Sequence, residues 1–437
     1  MQLYTGAALC AVGAEKAVSN ELKKLSEAAR PSPSIRVLES GFGRVRFQTN
    51  LEGLYRALIS LRAADRLLLE AGNFPAGDFD GLFEGTRNIP WENFIPRGMG
   101  LKVGKVRSSR SALTAETSIQ AVVHKAAAER LCNRYGVRRL PEPGKTLRAE
   151  SKDPRTGSGD SRTGPVILYK NREARGEPRM AELRVYIEKD EARVLLDISG
   201  APLFKRGYRP AGGTAPLRES TAAALILLSG WRRRFPLYDP FCGSGTIIIE
   251  AALYAWDQAP GLGRSFTLSD LLIGNRELEE DLRRELAARA DHRRKIRIYG
   301  SDGDENAAAL ARQNFRRALG LCAPAAASAK WAGETDPVEG VGIRRLSLEQ
   351  ARAPEENAGE EGYIITNPPY GRRMGDAESA EAGYRSMAVL EKHFPRWKMG
   401  VICDHAGFES HFGKKADICR KIKNGALDAY FYQYLHL

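Results

Sequence analysis

Two short stretches of this 437-residue chain combine residue types that can hold a small molecule and act on it. The first reads LYDPFCGSGT at residues 237–246, so a short apolar strand ends at Asp239 and a glycine-rich turn leads into a helix that begins at Thr246. Gly243 and Gly245 let the backbone approach a ligand closely and aim free N–H groups at it. A phosphate-binding P-loop needs a lysine beside the hydroxyl residue, and here an isoleucine follows Thr246. A nucleotide triphosphate is therefore disfavoured, and the acidic Asp239 at the end of the strand favours a polar, non-phosphate ligand such as a nucleoside.

The second stretch reads YIITNPPYG at residues 363–371, an apolar strand that runs into two prolines. Pro368 and Pro369 fix the backbone, so that the Asn367 carboxamide and the Pro368 carbonyl are presented as hydrogen-bond acceptors. Tyr370 supplies an aromatic face beside them. Acceptors next to a stacking ring suit a planar base that carries an exocyclic amine.

Length and composition indicate two or three domains with ordinary cores, since 43% of the residues are hydrophobic and 28% are charged. Six scattered cysteines without a CxxC pair indicate a reducing compartment and argue against zinc. Cys242, in the glycine-rich turn, is interpreted as a small packing residue rather than a nucleophile. The first residues lack the pattern of a signal peptide, and no apolar run in the sequence reaches 18 residues. These features predict a cytoplasmic protein without a membrane span.

The positive charge is unevenly distributed along the chain. The net charge is +13, and residues 101–180 hold 18 Lys and Arg against 8 Asp and Glu. A single Lys or Arg is most often solvated surface, but clustering in one region favours a nucleic-acid partner. We therefore predict an RNA-binding role for four residues near a predicted strand, Lys102, Lys105, Arg107 and Arg110.

Hydrophobic periodicity predicts the order of the secondary-structure elements. Residues 1–70 alternate in a βαββαβ-like order, typical of a ferredoxin-like unit. From residue 199 strands alternate with helices and end in an antiparallel hairpin, which predicts an open, mostly parallel α/β sheet. In this part Asp302 follows a short strand, where an acid can bind ribose hydroxyls, and Asp304 is expected to cap the next helix.

Five motifs, in this order, resemble those of the bacterial THUMP-domain RNA methyltransferases: DISGAPLFKRGYRP, APLRESTAAAL, DPFCGSGT, APGLGR and NPPYG. The resemblance is greatest to the members that methylate guanine N2 in 23S ribosomal RNA, either as the N-terminal half of a fused two-enzyme form or as a free-standing chain. It implies a ferredoxin-like domain at 1–70 and a THUMP RNA-binding domain at 71–198, with a basic loop at 151–180. It also implies a Rossmann-like class I methyltransferase domain at 199–437, with a mostly parallel seven-stranded sheet that ends in an antiparallel hairpin.

The resemblance also implies roles for individual residues, with S-adenosylmethionine as the cofactor. Asn367 to Tyr370 are expected at the target amine and base. The cofactor would be held by Asp239, Phe241, Gly243, Gly245, Thr246, Asp302 and Asn367. No metal is implied, and the chain is expected to act as a monomer. One departure is Ser347, which stands where the family usually has an aspartate beside the adenine, with Glu349 as the nearest acidic substitute.

The implied reaction is direct transfer of the methyl group to an exocyclic amine. Asn367 Oδ1 and the Pro368 carbonyl would accept hydrogen bonds from that amine and aim its lone pair at the methyl group. The same motifs also occur in enzymes that act on guanine N2 in transfer RNA or on adenine N6. A non-catalytic RNA-binding assembly factor, and a methyltransferase acting on a small molecule or a protein, are the remaining alternatives.

Overall fold

In the computed structural model the chain forms two seven-stranded sheets, each flanked by helices. The structure describes residues 2–28, 35–142, 179–209, 217–322, 338–357, 359–370, 376–425 and 427–437. Of the predicted basic loop 151–180, residues 151–178 lie outside these ranges.

The first sheet is built by the N-terminal part of the chain. Its strands are β1 (Tyr4–Cys10), β2 (Arg36–Gly41), β3 (Arg44–Thr49), β4 (Ala64–Pro75), β5 (Gly100–Ser109), β6 (Met180–Glu188) and β7 (Glu191–Asp197). Its helices are α1 (Glu15–Ala28), α2 (Leu51–Ser60), α3 (Phe79–Asn88) and α4 (Glu116–Tyr135). The order β1-α1-β2-β3-α2-β4 confirms the predicted βαββαβ pattern. Asn50 caps α2 by accepting a hydrogen bond from Gly53 N at 2.9 Å.

One long strand joins the two units that the sequence assigns to this part. The sheet order is β2-β3-β1-β4-β7-β6-β5, and β4 pairs with β1 on one side and β7 on the other. All neighbours are antiparallel except β5 and β6. The predicted domain boundary at residue 70 falls inside β4. The division into separate domains therefore stays a prediction, but the strands form one continuous sheet.

The second sheet is built by the C-terminal part. Its strands are β8 (Leu237–Asp239), β9 (Ile298–Asp302), β10 (Val341–Arg345), β11 (Tyr363–Thr366), β12 (Lys398–Cys403), β13 (Ile418–Asn424) and β14 (Leu427–Tyr434). Its helices are α5 (Glu219–Leu228), α6 (Thr246–Ala255), α7 (Arg276–Ala288), α8 (Glu305–Cys322), α9 (Asp376–Ser386), α10 (Val389–His393) and α11 (Phe408–Phe412). Among the described residues no helix is both long and apolar enough to cross a bilayer.

The strand order of this sheet, β10-β9-β8-β11-β12-β14-β13, confirms the predicted Rossmann-like fold. The first five strands are parallel, and β14 and β13 add the antiparallel hairpin. After β8 the chain moves outward to β9 and β10, then returns to place β11 on the other side of β8. Ligands of open α/β sheets bind where the order reverses, at the carboxyl ends of the strands. The crevice past Asp239 and Thr366 is therefore the expected ligand position.

The two parts of the chain pack tightly against each other. Arg56 in α2 pairs with Glu285 in α7 through two hydrogen bonds of 2.8 and 2.6 Å. Gly261, in the APGLGR motif, donates from its backbone N to Ile59 O at 2.8 Å. A Cβ built on Gly261 would lie 2.7 Å from Ile59 Cα, so only glycine fits there. The motif thus serves the contact between the two parts.

We predict that Gly261→Ala lowers the free energy of unfolding by about 1–3 kcal/mol, because the added methyl group must push two backbones apart. Denaturant unfolding followed by circular dichroism measures this change. Gly77→Ala is the matched control, since a Cβ at Gly77 meets nothing within 4 Å. Equal stability of the two variants would contradict the close packing at Gly261.

Candidate active site

The glycine-rich turn lies between β8 and α6, at the reversal point of the second sheet. Gly243 and Gly245 have φ values of +51° and +80°, a region that favours glycine. A Cβ on Gly245 would lie 3.0 Å from Ala311 Cβ in α8, whereas nothing lies within 4 Å of one built on Gly243. The turn is therefore packed on one side and open on the other. Cys242 is buried, and burial raises the pKa of its thiol well above the usual value, as expected of a packing residue.

Asp239, at the end of β8, holds the turn to the neighbouring strand. Its Oδ1 accepts hydrogen bonds from Thr366 Oγ1 at 2.6 Å and from Phe241 N at 3.1 Å. The side chain is buried, and burial raises the pKa of Asp239 to about 7. The carboxyl group that the sequence assigns to the cofactor thus binds the chain's own β11.

Asp302 is the last residue of β9, rather than the residue just past it as the sequence predicts. Its Oδ2 accepts a hydrogen bond from Gly243 N at 2.9 Å, and its Oδ1 accepts one from Asp304 N at 3.0 Å. Asp304 in turn accepts from Asn306 N at 2.9 Å, which confirms that it caps α8. The Asp302 carboxylate therefore lies directly beside the open glycine turn.

The end of β10 lies next to Asp302, because Leu346 N donates to Asp302 O at 3.1 Å. Ser347 follows immediately and begins a short turn, in which its backbone N donates to Gln350 Oε1 at 3.1 Å. Glu349 in this turn is exposed, and hydrogen bonds from its own backbone N–H and from Ser347 lower the pKa of its carboxyl group. Both residues stand at the same edge of the sheet as Asp302, as their sequence positions predict.

The Asn-Pro-Pro-Tyr segment extends from β11 across the reversal point. Asn367 is half-buried, and its Oδ1 accepts a hydrogen bond from the Tyr370 hydroxyl at 2.6 Å. Tyr384 in α9 donates to Pro369 O at 3.1 Å and so braces the segment from behind. The Asn367 amide is thereby held with its oxygen as the acceptor. A second lone pair on that oxygen remains available to a ligand.

A buried ionic network beneath the glycine turn was not anticipated from the sequence. Arg209 pairs with Glu219 of α5 at 2.5 Å, and its Nη1 lies 3.4 Å from Thr246 Oγ1. Beside it the Tyr208 hydroxyl donates to Glu250 Oε1 at 3.0 Å. The sequence shows the charged residues of the motifs LFKRGYRP and APLRES, but it does not show which of them form pairs. Their opposite charges meet only after folding, and they fix α5 and α6 below the turn.

A cluster with metal-ligand chemistry lies behind α9. Within the described part of the chain, Glu381, His405 and His411 form the one group whose ligand-type atoms lie within 4.8 Å of one another. His405 Nδ1 accepts from Gly407 N at 3.1 Å, and His411 Nδ1 accepts from the Arg385 guanidinium at 3.3 Å. Both Nε2 atoms therefore carry the proton in the neutral rings and face Glu381 Oε1 at 3.5 and 3.6 Å. A nitrogen that carries a proton has no lone pair for a metal, so the arrangement does not favour metal ligation.

The four basic residues predicted to bind RNA lie on β5 or just beyond it, in the first sheet. Lys102 pairs with Glu182 at 2.8 Å. Lys105, Arg107 and Arg110 line a cleft of about 800 Å³, which we call the basic cleft and which Lys102 does not line. Arg110 pairs with Glu188, which also lines it. It is bounded by the β2–β3 turn, β5, β6, the segment around Phe204 and the β13–β14 hairpin. The structure thus separates Lys102 from the other three residues.

The site residues fit a nucleoside ligand at the carboxyl edge of the second sheet. The open face of Gly243 leaves room for a close approach to the backbone, and the Asp302 carboxylate beside it can accept hydrogen bonds from ribose hydroxyls. Phe241 and Tyr370 both pack against the apolar cluster that includes Tyr238 and Ile364. Aromatic surface and acceptors therefore flank one crevice.

In a comparison with known proteins, each of the two parts of the chain matches a protein-family model. Residues 206–433 match the family described as "RMKL-like, methyltransferase domain", and residues 6–68 match the "RlmL ferredoxin-like domain". The chain is 31% identical to "Putative RNA methyltransferase YpsC" of Bacillus subtilis over 437 residues, which cover 99% of this chain and 96% of that protein.

Two further relatives extend the comparison. The chain is 30% identical to the ribosomal RNA large subunit methyltransferase K/L of Syntrophotalea carbinolica, over 95% of this chain and 51% of that protein. It therefore spans about half the length of this K/L protein. The solved structure of SMU.472 complexed with SAH superposes with a TM-score of 0.77 at 29% identity, covering 100% of this chain and 99% of that one.

We predict that Asp302→Ala weakens the binding of S-adenosylmethionine by about 1.5–3 kcal/mol, because a charge-assisted hydrogen bond to the ribose is lost. Isothermal titration calorimetry measures this change. Asp304→Ala is the matched control, since it removes a helix cap two residues away and should leave the affinity unchanged. Wild-type affinity of Asp302→Ala would rule out the ribose contact.

A second prediction concerns the buried carboxyl group of Asp239. Its pKa is about 7 in the folded chain and 3.8 ordinarily, so between these values the folded state holds a proton that the unfolded state releases. Its stabilising contribution is therefore complete below about pH 4 and is lost as the pH rises through 7. Asp239→Asn should remove this part of the pH dependence, leaving the variant relatively more stable at pH 8 than at pH 5.

Thermal unfolding of the wild type and of Asp239→Asn across this pH range measures the difference. Gly77→Ala, which neither adds nor removes a titratable group and meets nothing within 4 Å, is the control and should follow the wild type at every pH. A difference between the wild type and Asp239→Asn that does not vary with pH would show that the carboxyl group is ionised throughout.

Proposed function

The chain belongs to the RMKL-like methyltransferase-domain family, and from this membership we propose that it methylates the exocyclic N2 amine of a guanine in 23S ribosomal RNA. S-adenosylmethionine is the methyl donor, in keeping with the family and with the SAH complex of SMU.472. The observation that carries the proposal is the fixed acceptor oxygen of Asn367 beside the open glycine turn, at the point where the sheet order reverses.

The residues around the glycine turn would hold the donor. Gly243 lets the backbone lie against it, Asp302 accepts from its ribose hydroxyls, and Phe241 supplies an apolar wall. When bound, S-adenosylmethionine supplies a methyl group on a positively charged sulfur, which a lone pair can attack in line. Asp239 acts indirectly, since its bond to Thr366 sets the distance between the turn and Asn367.

The residues after β11 would prepare the acceptor. The exocyclic amine of guanine is a weak nucleophile, because its lone pair is delocalised into the ring. Asn367 Oδ1 and the Pro368 carbonyl accept hydrogen bonds from the two amine hydrogens, which localises the lone pair and points it at the methyl group. Once methylated, the nitrogen releases one proton to solvent, since neither oxygen is a base. The Tyr370 hydroxyl holds the Asn367 oxygen in place, so little reorganisation is needed during the reaction. The ring of Tyr370 would stack on the base once that base has left its helix.

Three observations support RNA as the substrate. The names of YpsC and of the K/L protein both refer to RNA, and the latter names the large ribosomal subunit. The chain carries a net charge of +13. Most of the excess lies in residues 101–180, a stretch of the sequence that contains neither the glycine turn nor Asn367. We propose that the part after residue 70 that belongs to the first sheet acts as a THUMP-type RNA-binding domain.

We predict that Asn367→Ala lowers the rate of methyl transfer about a hundredfold or more, because the amine loses the acceptor that aims it. The affinity for S-adenosylmethionine should stay within a few-fold, since Asn367 mainly serves the base. Transfer of tritiated methyl groups to ribosomal RNA from a deletion strain measures the rate, and calorimetry measures the affinity.

Tyr370→Phe is the graded comparison for this experiment. It keeps the ring and removes only the hydrogen bond to Asn367, so it should slow the reaction by up to about tenfold. Near-normal transfer by Asn367→Ala would refute the mechanism.

The identity of the methylated nucleotide is tested separately. Mass spectrometry of nucleosides from the ribosomal and transfer RNA of a deletion strain should reveal the loss of one N2-methylguanosine from 23S RNA. Loss from transfer RNA instead, or loss of N6-methyladenosine, would replace the proposed substrate with one of the alternatives. An unchanged set of nucleosides together with no binding of S-adenosylmethionine would favour a non-catalytic RNA-binding factor.

A further inference from the structure

We infer that the basic cleft binds an RNA segment with an unpaired nucleotide, whose base stacks on Phe42 and whose phosphates lie against Lys105 and Arg107. This inference rests on the proposed function, since it assumes that RNA is the substrate. It goes beyond that function by placing part of the RNA contact on the hairpin of the ferredoxin-like unit. The support comes from the cleft's charge, from the turn that carries Phe42, and from the cleft's position relative to the glycine turn.

The charge of the basic cleft favours a polyanion. Its lining includes eight Lys or Arg side chains and three carboxylates. Several of these cations are neutralised by ion pairs, such as Arg66 with Asp197 at 2.5 Å and Arg218 with Asp65 at 3.1 Å. Most of the remaining positive charge is contributed by β5.

Lys105 and Arg107 carry the part of this charge that is not neutralised. Both side chains are exposed, and no carboxylate of the described residues lies within 4.0 Å of either. Arg107 lowers the pKa of Lys105, so the two cations repel each other as the chain stands. A phosphate group between them would relieve that repulsion. Lys102, on the same strand, differs because Glu182 already pairs with it.

The turn that carries Phe42 is unusual in two respects. Phe42 and Gly43 have φ values of +53° and +77°, so both central residues of the β2–β3 turn are left-handed. Such turns strongly favour Asn-Gly, and an aromatic residue at the first position is strained. In addition Phe42 is 87% exposed, more than any other large hydrophobic residue of the described chain. Neither the left-handed backbone nor the exposed ring of Phe42 stabilises the fold. Strained backbone of this kind is found most often at ligand sites.

The backbone of the turn that carries Phe42 is held in place at the edge of the cleft. The Glu15 carboxylate accepts hydrogen bonds from Gly43 N at 2.6 Å and from Gly13 N at 2.8 Å. Cys10 N donates to Gly43 O at 2.9 Å. The exposed ring therefore sits on a braced turn that itself lines the cleft. An exposed aromatic face next to cations is the combination that proteins use to bind unpaired nucleotides.

The cleft is connected to the glycine turn through consecutive residues. Arg218 lines the cleft, and the next residue, Glu219, pairs with Arg209, whose guanidinium lies 3.4 Å from Thr246 Oγ1. On the other side Lys423 lines the cleft from the β13–β14 hairpin of the second sheet. Its backbone N donates to Val12 O in the first part of the chain at 3.0 Å. An RNA strand in the cleft would thus contact both parts of the chain.

The stacking contact is tested with Phe42→Asn, Phe42→Trp and Leu38→Asn. The probe is a fluorescein-labelled single-stranded RNA 12-mer of mixed sequence, and binding is followed by fluorescence anisotropy. Phe42→Asn should bind about tenfold more weakly, the loss expected for one stacked base. Its melting temperature should be equal or higher, because asparagine tolerates the left-handed turn. Phe42→Trp should keep the wild-type affinity, and so should Leu38→Asn, an exposed change on the same hairpin.

The phosphate contacts are tested with the double variant Lys105→Gln/Arg107→Gln against Lys102→Gln. The double variant should bind the 12-mer more weakly. The slope of its log affinity against log salt concentration should fall by about 1.4, the value for two contacts on a single strand. Lys102→Gln should leave the slope almost unchanged, because its partner is Glu182 rather than a phosphate. Binding of S-adenosylmethionine should be normal in every variant.

Several results would overturn the inference. The stacking contact is wrong if Phe42→Asn binds the 12-mer with wild-type affinity, or if Leu38→Asn loses as much affinity as Phe42→Asn. The phosphate contacts are wrong if Lys102→Gln lowers the salt slope as much as the double variant does. Displacement of the 12-mer by poly-L-glutamate as readily as by unlabelled RNA would indicate a general anion surface that an acidic protein could also occupy. Failure of the proposed function gives a different result, because the wild type itself then transfers no methyl group to ribosomal RNA. If the wild type does transfer it and the cleft variants bind the 12-mer normally, only the cleft inference is wrong.

Discussion

The hydrogen bond from Thr366 to the buried carboxyl group of Asp239 is the contact on which the candidate site depends. The parallel pairing of β8 with β11 extends only to Tyr238 and Ile364. Beyond that point the two chains separate into the glycine turn and the Asn-Pro-Pro-Tyr segment. The bond between Asp239 and Thr366, 2.6 Å long, continues the connection by one residue on β8 and two residues on β11. It therefore fixes the cofactor turn relative to the residue that would accept the target amine.

This contact requires a carboxyl group in an apolar environment, which has a cost. Burial raises the pKa of Asp239 to about 7, so near neutral pH the fold must either hold a proton there or tolerate a buried charge. A short, fully buried hydrogen bond compensates part of that cost. Residues at functional sites often retain such local penalties because geometry matters more there than stability. Phe42, in its strained and exposed turn in the first part of the chain, carries a similar local penalty.

The tight packing of the two parts has a consequence for substrate choice. Gly261 against Ile59 and Arg56 with Glu285 hold the second sheet against α2 of the first part. A surface that binds RNA on the first part is then at a fixed distance from the Asn367 amide. In such an arrangement the methylated nucleotide is selected by its distance from the anchored segment as well as by its own base. The base must still leave its stack, at a cost of a few kcal/mol, and binding energy from the remote contact can offset this.

The sequence by itself determined those features that depend on neighbouring residues. Alternation of apolar residues and local caps such as Asn50 and Asp304 predicted most strands and helices, because these signals act within a few residues. The residue types at the ends of β8, β9 and β11 predicted the position of the site, because parallel strands bring their carboxyl ends to one edge.

Tertiary structure alone decided which polar groups meet across the chain. The sequence assigned Asp239 to the ligand, yet its partner in the fold is Thr366, 127 positions away. The sequence grouped Lys102 with Lys105 as RNA-binding residues. In the structure Lys102 pairs with Glu182 on the neighbouring strand β6, whereas Lys105 pairs with no carboxylate of the described residues. No sequence pattern pointed to Phe42 as a binding residue. Its proposed role depends on Lys105 and Arg107, which line the same cleft only in the folded chain. Such pairings depend on strand register and on packing between the two parts, which sum over many weak, distant contacts and leave no local pattern in the sequence.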